Sequence, residues 1–484
     1  MNYSLLMITG IALPTVGALI IAVSGKWPNV RDSVAMAIAT LTFAIVYQLY
    51  LPVKAGVRPA LQLLELTSDL NLSFHIEPLG MLFALVASSL WILTLLYAIG
   101  YMRNHHEENQ TRFFSFFSLA IAAAIGAAFS GNMLTLFFFY ELLTLSTYPL
   151  VTHHRTPAAL KAGRIYIGML LTTSIGFLLL AIILTYIFAG TLDFVPGGIL
   201  SGKTSDLMTG ILLMLYAYGT GKAALIPIHS WLPNAMVAPT PVSALLHAVA
   251  VVKTGVFTIL KVVIYIFGIN NLSNIDSHVF LTYSATLTII VASLIALRQD
   301  NLKARLAYST VGQLAYIILG ASLVNSGGIV GASLHIALHA FGKITLFFCA
   351  GAIMVALHKT EISDMHGIGH QMPITMTAFL IASLSIIGLP PLGGTWSKWY
   401  LLSGTLEAGF TFATAALLVS SLLNIAYLLP IPIRAFFYAN KDENIQLSEA
   451  PLTCVVPLVI TAIISISLFF YPDPLLSLCN QLIE

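Results

Sequence analysis

Long apolar runs, separated by short polar stretches, occupy nearly the whole chain. A helix of about twenty mostly apolar residues is long enough to cross the hydrocarbon layer of a bilayer. The pattern therefore predicts an all-α polytopic membrane protein with about fourteen transmembrane helices. The predicted spans are Leu5–Ser24, Ser33–Leu51, Gly80–Tyr101, Phe113–Ser130, Met133–Thr152, Ile165–Ala189, Met208–Trp231, Pro241–Phe267, Phe280–Leu297, Leu306–Leu323, Ile329–Leu357, Thr375–Leu402, Ala408–Ile431 and Leu452–Phe470. The first run lacks a basic start and a small-residue cleavage site, which indicates a span rather than a removable signal peptide.

Proline interrupts two of these spans. The seventh carries Pro227, and the twelfth carries Pro390 and Pro391. Proline removes a backbone donor and breaks a helix, and broken backbone at membrane depth is tolerated only where protein or water covers it. Two broken helices five spans apart fit the inverted repeats of transporters. The pattern predicts amino-terminal helices over residues 1–112, a first inverted five-helix repeat over 113–267, a second over 277–436, and a carboxy-terminal helix within 452–484.

Basic residues outside the spans are distributed unequally between the two sides. The side of the first loop carries Lys26, Arg31, Arg103, Arg112, Arg155, Lys161, Arg164, Arg298, Lys303, Arg305, Lys359, Arg434 and Lys441, and the other side carries Lys54, Arg58 and Lys203. Cytoplasmic loops of membrane proteins are enriched in lysine and arginine. We therefore expect a multi-pass protein of the cell inner (plasma) membrane with both termini on the non-cytoplasmic side.

Composition supports a membrane protein and excludes several classes of function. Apolar residues make up 58% of the chain and charged residues 8%, against about 25% charged residues in soluble domains. The net charge of +2 is too small to suggest nucleic acid as a partner. Cys349, Cys454 and Cys479 are scattered without a C-x-x-C pair, and nucleotide-binding motifs are absent from the sequence. We expect no metal, no cofactor and no redox chemistry in this chain.

Ionisable residues within the predicted spans are almost all lysines. They are Lys222, Lys253, Lys261, Lys343 and Lys398, with Glu141 as the one acid well inside a span. A charge at the bilayer centre is costly, and intramembrane ionisable residues mark ion pathways by default. A desolvated lysine can take up and release a proton near neutral pH, whereas arginine effectively never deprotonates. Buried lysines without arginine therefore indicate a proton relay.

Two of these lysines lie beside the helix breaks. Lys222 stands five residues before Pro227, and Lys398 follows Pro390 and Pro391. Freed carbonyl groups and water near a break would let a lysine exchange its proton. We expect Glu141 to be the partner of Lys222; the alternative is a structural ion pair between helices. For Lys398 the alternative is snorkelling to the interface.

His335, His339 and Lys343 recur at intervals of four residues, which predicts one titratable stripe on the eleventh span. Lys253 is a further relay candidate, whereas His247 and His229 are equally well interpreted as core or break residues. The remaining ionisable groups fit simpler interpretations. Lys261 is near enough to a helix end to snorkel, Glu77 precedes a span as a rim residue, and His105, His106, His153 and His154 are expected to be solvated loop residues.

Several motifs together resemble one known family. They are Gly221–Lys222, Pro227–Ala235 (PIHSWLPNA), Ala238–Ala248 (APTPVSALLHA), Lys253–Gly255, Leu302–Gln313 (LKARLAYSTVGQ), His335 with His339–Lys343 (HAFGK), and Gly388–Pro391 (GLPP) followed by Lys398. Their order and spacing are similar to those of the antiporter-like proton-translocating subunits shared by respiratory complex I and the Mrp-type multisubunit cation/proton antiporters, a family that includes membrane-bound hydrogenase arms. The resemblance covers about Phe74 to Ile431.

The resemblance implies fourteen helices, two inverted five-helix repeats and broken helices 7 and 12. It also implies roles for the residues named above. Glu141 and Lys222 would form the coupled pair of the first half-channel, Lys253 would link inward, His335, His339 and Lys343 would continue the central axis, and Lys398 would be the terminal lysine of the second half-channel. Implied partners are other integral membrane subunits, protons and sodium ions, within a lipid bilayer.

Three functions stay open at this point. The first is a proton-translocating subunit of a cation(Na+)/proton antiporter, with the D component of Mrp-type antiporters as the nearest match in length and in the context of Glu141. The second is a proton-pumping subunit of a redox enzyme, namely a complex I-like NADH–quinone oxidoreductase or a membrane-bound hydrogenase, so the sequence leaves open whether the whole complex is an enzyme. The third is a scaffold that carries no ions. A bicarbonate- or carbon dioxide-handling relative is a further alternative within the family.

Overall fold

Helices make up most of the computed structural model, which describes residues 2–67, 70–438 and 446–483. The helices are α1 (Tyr3–Val23), α2 (Pro28–Lys54), α3 (Pro78–Asn104), α4 (Gln110–Phe129), α5 (Met133–Val151), α6 (Pro157–Thr173), α7 (Leu179–Ala189), α8 (Asp206–Gly219), α9 (Trp231–Asn234), α10 (Thr240–Ala244), α11 (Val251–Val262), α12 (Ile269–Ser273), α13 (His278–Arg298), α14 (Leu302–Ser322), α15 (Ser326–Leu357), α16 (Ile368–Gln371), α17 (Pro373–Ile387), α18 (Gly394–Glu407), α19 (Thr411–Leu428), α20 (Pro430–Phe437), α21 (Leu452–Phe470) and α22 (Asp473–Asn480). Short 3₁₀ turns cover Ser24–Lys26, Gly221–Ala223, Ala235–Val237 and Ile362–Asp364, and π-helical turns cover Ser174–Leu178, Leu245–Val249 and Val263–Phe267.

Membrane-spanning length is reached by ten helices of the described chain. They correspond to the predicted spans one to six, nine, eleven, thirteen and fourteen, with α6 and α7 joined through a π-helical turn. The other four predicted spans coincide with α8–α9, α10–α11, α14 and α17–α18. Three of these four are assembled from short pieces, which is why length alone does not identify them. The membrane-helix fold class is confirmed, whereas the repeat boundaries stay a prediction.

Both predicted helix breaks are present. Helix α8 ends at Gly219, and regular α-helix resumes only at Trp231, so this break begins before Pro227 and includes Lys222. Helix α17 ends at Ile387, and α18 begins at Gly394. Proline cannot donate to the helical ladder, so the polar backbone groups in both segments need other partners.

A two-stranded hairpin is the main element that the helical prediction missed. Strands β1 (Ala60–Thr67) and β2 (Leu70–His75) pair in antiparallel fashion, with Ala60 opposite His75. The hairpin lies against the tight α4–α5 turn, where the amide of Gly131 donates to the carbonyl of Ser73 at 2.9 Å. It therefore covers one end of the helical bundle, beside the start of α3.

The basic loops come together at the opposite end. Arg103 at the end of α3 donates to the Asp32 carboxylate of α2 at 2.5 Å. Arg112 at the start of α4 donates to the carbonyl of His153 after α5 at 2.8 Å, and Lys303 donates to the carbonyl of Ala238 at 2.7 Å. Loops on one side of the predicted membrane thus lie at one end of the structure. The assignment of that end to the cytoplasm stays a prediction.

The second break depends on a glycine that packs directly against backbone. A β-carbon at Gly394 would lie 1.9 Å from the carbonyl oxygen of Ser385. Gly394→Ala is therefore expected to destabilise the protein by about 1–3 kcal/mol or more, because the crowded atom is backbone and cannot rotate away. Thermal unfolding of the purified complex would measure the change. Gly168→Ala in α6 is the matched control, because a β-carbon there would meet nothing within 4 Å; equal Tm values for the two variants would contradict the prediction.

Candidate functional site

Lys222 is completely buried inside the first helix break. Its Nζ donates to the carbonyl oxygen of Tyr140 at 2.8 Å and to Oγ1 of Thr144 at 2.5 Å, and it lies 3.1 Å from the centroid of the Tyr140 ring. Helix α11 packs closely on this segment, since a β-carbon at Gly255 would lie 2.4 Å from the amide nitrogen of Ala223. The ammonium group is therefore solvated by α5 groups in place of water.

Glu141 directly follows Tyr140 in α5, but its carboxylate is not the group that Lys222 contacts. Both carboxylate oxygens of Glu141 are buried and have no hydrogen-bond partner within the described residues. The predicted partners are thus neighbours without a direct ion pair. Successive helical residues point in different directions, and here Tyr140 and Thr144 occupy the position facing Lys222.

Lys253 and the α15 histidines form a direct contact at the centre of the molecule. Nζ of Lys253 lies 2.7 Å from Nδ1 of His339, and both residues are almost fully buried. The His339 ring lies 5.5 Å from that of His335, measured between centroids. His335 in turn contacts Ser397 Oγ at 2.8 Å through Nδ1 and Gln313 Oε1 at 3.1 Å through Nε2. The structure brings these predicted residues together across α11, α14, α15 and α18.

Lys343, one helical turn beyond His339, has hydroxyl partners of its own. Its Nζ donates to Ser309 Oγ at 2.7 Å. Ser309 also accepts a hydrogen bond from the Tyr427 hydroxyl at 2.9 Å, and Tyr427 contacts the Asn424 side chain. This chain of hydroxyl and amide groups runs from α15 through α14 to α19. Sequence periodicity identified Lys343 but gave no sign of its partners.

Lys398 is only partly buried, at the start of α18. Its Nζ donates to the carbonyl of Ile387 at 2.9 Å, a carbonyl freed by the end of α17, and to Ser421 Oγ at 3.2 Å. It also lies 5.0 Å from the centroid of the Tyr316 ring. The break therefore supplies an acceptor for the lysine, as the position of Lys398 after the two prolines predicted.

The two additional histidines do not extend this arrangement. His229 is partly exposed, and its Nδ1 lies 3.3 Å from the carbonyl oxygen of Pro227. The side chain of His247 lies outside the described part of the structure. Pro227 itself is exposed, whereas the Gly221 carbonyl within the break accepts from Trp231 Nε1 at 3.0 Å.

A buried ion pair joins two residues that were expected to be peripheral. Nζ of Lys261 lies 2.8 Å from Oε1 of Glu77, and their side chains are 0% and 4% exposed. The predictions of snorkelling for Lys261 and of a rim position for Glu77 were therefore wrong. Glu77 directly before Pro78 is a recognisable helix-start signal, but its partner is distant in sequence and could not be identified without the fold.

A second unexpected cluster surrounds Glu107 at the basic end. The carboxylate lies 3.2 Å from His105 Nδ1, 3.5 Å from His154 Nε2 and 3.8 Å from His153 Nε2. His153 is only 4% exposed, so the expectation of a solvated loop residue was wrong for it. A cavity of about 170 Å³ adjoins this cluster and is also lined by Lys303.

The burial of His153 predicts a loss of stability in acid. Burial lowers the pKa of His153 from its ordinary 6.5 to about 4, and the nearby positive Arg112 acts in the same direction. The unfolded chain therefore takes up a proton that the folded chain does not, so stability present above pH 6.5 is lost as the pH falls towards 4, by up to about 3 kcal/mol. Tm measured against pH should be flatter in this window for His153→Gln than for wild type. His106→Gln, at an exposed residue of the neighbouring loop, should keep the wild-type slope; an unchanged slope for His153→Gln would contradict the prediction.

The arrangement is suited to moving protons. At 2.7 Å, Lys253 and His339 can share one proton, with the ammonium donating to a neutral imidazole or a protonated imidazole donating to a neutral amine. Hydroxyl groups at Thr144 and Ser309 can both donate and accept. Among the described residues, no group of histidine, cysteine and carboxylate side chains could hold a metal ion.

Comparison with known proteins gives the same family over most of the chain. Residues 130–424 match the family described as "NADH:quinone oxidoreductase/Mrp antiporter, TM", and residues 65–114 match "NADH-Ubiquinone oxidoreductase (complex I), chain 5 N-terminus". The chain is 32% identical over 419 residues to NADH-quinone oxidoreductase subunit N of Desulforudis audaxviator (strain MP104C), covering 83% of this chain and 82% of that protein. It is 30% identical over 434 residues to the chloroplastic NAD(P)H-quinone oxidoreductase subunit 5 of Chara vulgaris, covering 84% of this chain and 64% of that protein. The chain thus spans less than two thirds of that subunit 5 relative.

Two solved structures share the fold over nearly their whole length. A chain of the archaeal membrane-bound sulfane sulfur reductase superposes with a TM-score of 0.86 at 25% identity, covering 98% of this chain and 96% of that one. A chain of the Mrp complex from Dietzia sp. DQ12-45-1b superposes with a TM-score of 0.87 at 20% identity, covering 99% and 97%. With the family match and the buried lysine and histidine contacts, these comparisons lead to one conclusion: the chain belongs to the family of proton-translocating membrane subunits that NADH:quinone oxidoreductases and Mrp antiporters share.

Proposed function

We propose that this chain is the proton-translocating subunit of a multisubunit cation(Na+)/proton antiporter in the plasma membrane. The observation that carries the proposal is the contact of Lys253 with His339 between two buried helices, at a distance that allows direct proton transfer. Lys222 and Glu141 precede it along the proposed path, and His335, Lys343 and Lys398 follow it. Buried water would connect the groups that are not in contact.

Electrostatics would drive the transfer along this path. In the structure Lys222 is solvated by Tyr140 and Thr144 and is not in direct contact with the Glu141 carboxylate. Approach of that carboxylate would favour the charged form of Lys222, and its withdrawal would favour release of the proton towards Lys253. The buried carboxylate beside Lys222 thus supplies the bias, and the lysine supplies the proton.

A second candidate function is a proton-pumping subunit of a redox-driven complex. It is favoured by the names of the relatives, which are subunits of NADH- and NAD(P)H-quinone oxidoreductases, and by the structural match to a sulfane sulfur reductase. Both candidates place the chain among other integral membrane subunits and use the same relay. They differ in what energises it.

Proton flux into vesicles that contain the intact complex distinguishes the two. A sodium gradient imposed without any redox substrate should drive proton movement in the antiporter. In a redox-driven complex, proton movement should appear only when an electron donor such as NADH and a quinone are supplied. If neither condition moves protons although the complex is assembled, the chain is a scaffold and the proposed function is wrong.

A further inference from the structure

The Glu77–Lys261 ion pair lies outside the relay and at the end of the molecule covered by the β-hairpin. It is held between the ends of two helices. Oε2 of Glu77 accepts hydrogen bonds from the amides of Leu79 and Gly80, at 2.8 and 3.1 Å, at the start of α3. Lys261 donates to the carbonyl of Ser130, which follows the last residue of α4, at 2.6 Å. Helix starts favour negative charge and helix ends favour positive charge, so both charged forms are stabilised here.

A polar cavity of about 510 Å³ adjoins this pair. It lies between the β-hairpin, the start of α3 and the carboxy-terminal segment after α22, and Glu77 is part of its lining. Arg58, His75, Tyr265 and Asn270 are the other polar groups that face Glu77 or the cavity, and Asn270 is exposed. Glu77 thus contacts Lys261 within the protein and also lines a space that solvent reaches.

His75 is the nearest titratable group on the cavity side. Burial lowers the pKa of His75; Glu77 acts in the opposite direction, and Lys261 and Arg58 lower it further. The imidazole is therefore mainly neutral near pH 7 and can accept a proton. The Tyr265 hydroxyl, 3.3 Å from Oε2 of Glu77, supplies a second hydrogen-bonding group at the same carboxylate.

Helix α11 connects this pair with the centre of the molecule. It carries both Lys253, which contacts His339, and Lys261, which contacts Glu77, about 12 Å apart along the helix axis. Thr254 and Thr258 lie between them and are completely buried, and together with Lys261 they follow an i, i+4, i+7 spacing on one helix face. A π-helical turn begins directly after Val262, and such turns frequently occur at functional sites.

We propose that Glu77 and Lys261, with His75, form a proton-exchange station that connects the α11 lysines to the aqueous phase at the hairpin end. The inference rests on the proposed function, because it needs a proton arriving from the relay. The Lys261 ammonium transfers one proton to the Glu77 carboxylate, which leaves a neutral amine and a neutral carboxylic acid. Glu77 then releases that proton to His75 or cavity water, and Lys261 takes up the next proton from the Lys253 side.

The competing explanation is a structural clamp between α3, α4 and α11. The two explanations differ in the behaviour of a double variant. Removing one partner of a buried ion pair leaves an uncompensated charge, whereas removing both charges is often tolerated. A clamp therefore predicts that Glu77→Gln/Lys261→Met recovers the flux lost by Lys261→Met, whereas an exchange station predicts no recovery.

Proton flux through the intact complex in vesicles tests the station directly. Glu77→Gln, Lys261→Met and the double variant should each lower flux about tenfold or more at equal assembly. Asp32→Asn, which neutralises a different buried ion pair at the basic end, should retain wild-type flux. Wild-type flux in the assembled double variant would overturn the inference. If Lys222→Arg is inactive in the same assay, only the station fails; if Lys222→Arg also conducts, the proposed function fails with it.

Access to the cavity gives a second readout that a clamp would not produce. A cysteine at the exposed Asn270 can be labelled with a bulky, membrane-impermeant thiol reagent, whereas Cys349, Cys454 and Cys479 are buried. Flux of labelled Asn270→Cys should fall relative to the same variant without label, and only when the reagent is added on the hairpin side. Complete labelling, verified by mass spectrometry, without a change in flux would overturn the inference.

Discussion

Replacing Lys222 with arginine is expected to lower proton flux through the assembled complex by about 100-fold or more. Arginine keeps the positive charge but does not release a proton at any accessible pH. Its planar guanidinium group also cannot reproduce the compact site in which one ammonium reaches both the Tyr140 carbonyl and the Thr144 hydroxyl. The measurement is the initial rate of internal pH change in vesicles at matched amounts of complex.

Two further variants make this result specific. Lys222→Met removes the charge and the proton together and should be equally inactive, which separates loss of the proton carrier from excess charge. Lys203→Arg is the matched control, because Lys203 is an exposed loop residue whose Nζ donates to the Ala189 carbonyl at 2.9 Å. It should conduct like wild type. Substantial flux through Lys222→Arg would mean that the proton does not pass through this side chain.

The sequence predicted the relay lysines well because membrane burial restricts ionisable residues so strongly. Lys222, Lys253 and Lys343 are completely buried as expected, and both helix breaks occur beside the predicted lysines. A four-residue interval also placed His335 and His339 on one helix, where their rings lie 5.5 Å apart. These features depend on local composition and periodicity, which one chain is enough to show.

Partner identity depends on packing between helices and was the part that sequence could not supply. The expected partner of Lys222 was Glu141, but the ammonium group meets the backbone carbonyl of Tyr140, and a carbonyl carries no signal in the sequence. Lys261 looked like a helix-end residue, whereas a π-helical turn extends the buried segment beyond it to Phe267. Gln313 and Ser397, the partners of His335, are ordinary polar residues until the fold brings them together.

The hairpin shows the same limit for secondary structure. β1 reads Ala-Leu-Gln-Leu-Leu-Glu-Leu-Thr, a sequence without strict alternation and with mostly exposed side chains. Its register is set by tertiary contacts, such as the backbone hydrogen bond from Gly131 to Ser73, rather than by its own pattern. Because this hairpin lines the cavity beside Glu77, missing it also concealed the proposed exchange station.

A double-mutant cycle should show that Lys253 and His339 act as one unit. Lys253→Met and His339→Leu are each expected to lower proton flux about tenfold or more, because each removes one side of the 2.7 Å contact between Nζ and Nδ1. The double variant should be no worse than the poorer single variant, since the second substitution removes a step that is already blocked. Thr345→Val is the control on the same helix, at a buried hydroxyl that bonds to Thr461 at 2.7 Å, and it should conduct normally. Multiplicative losses in the double variant would show that the two residues serve separate steps, and the direct transfer between them would then be wrong.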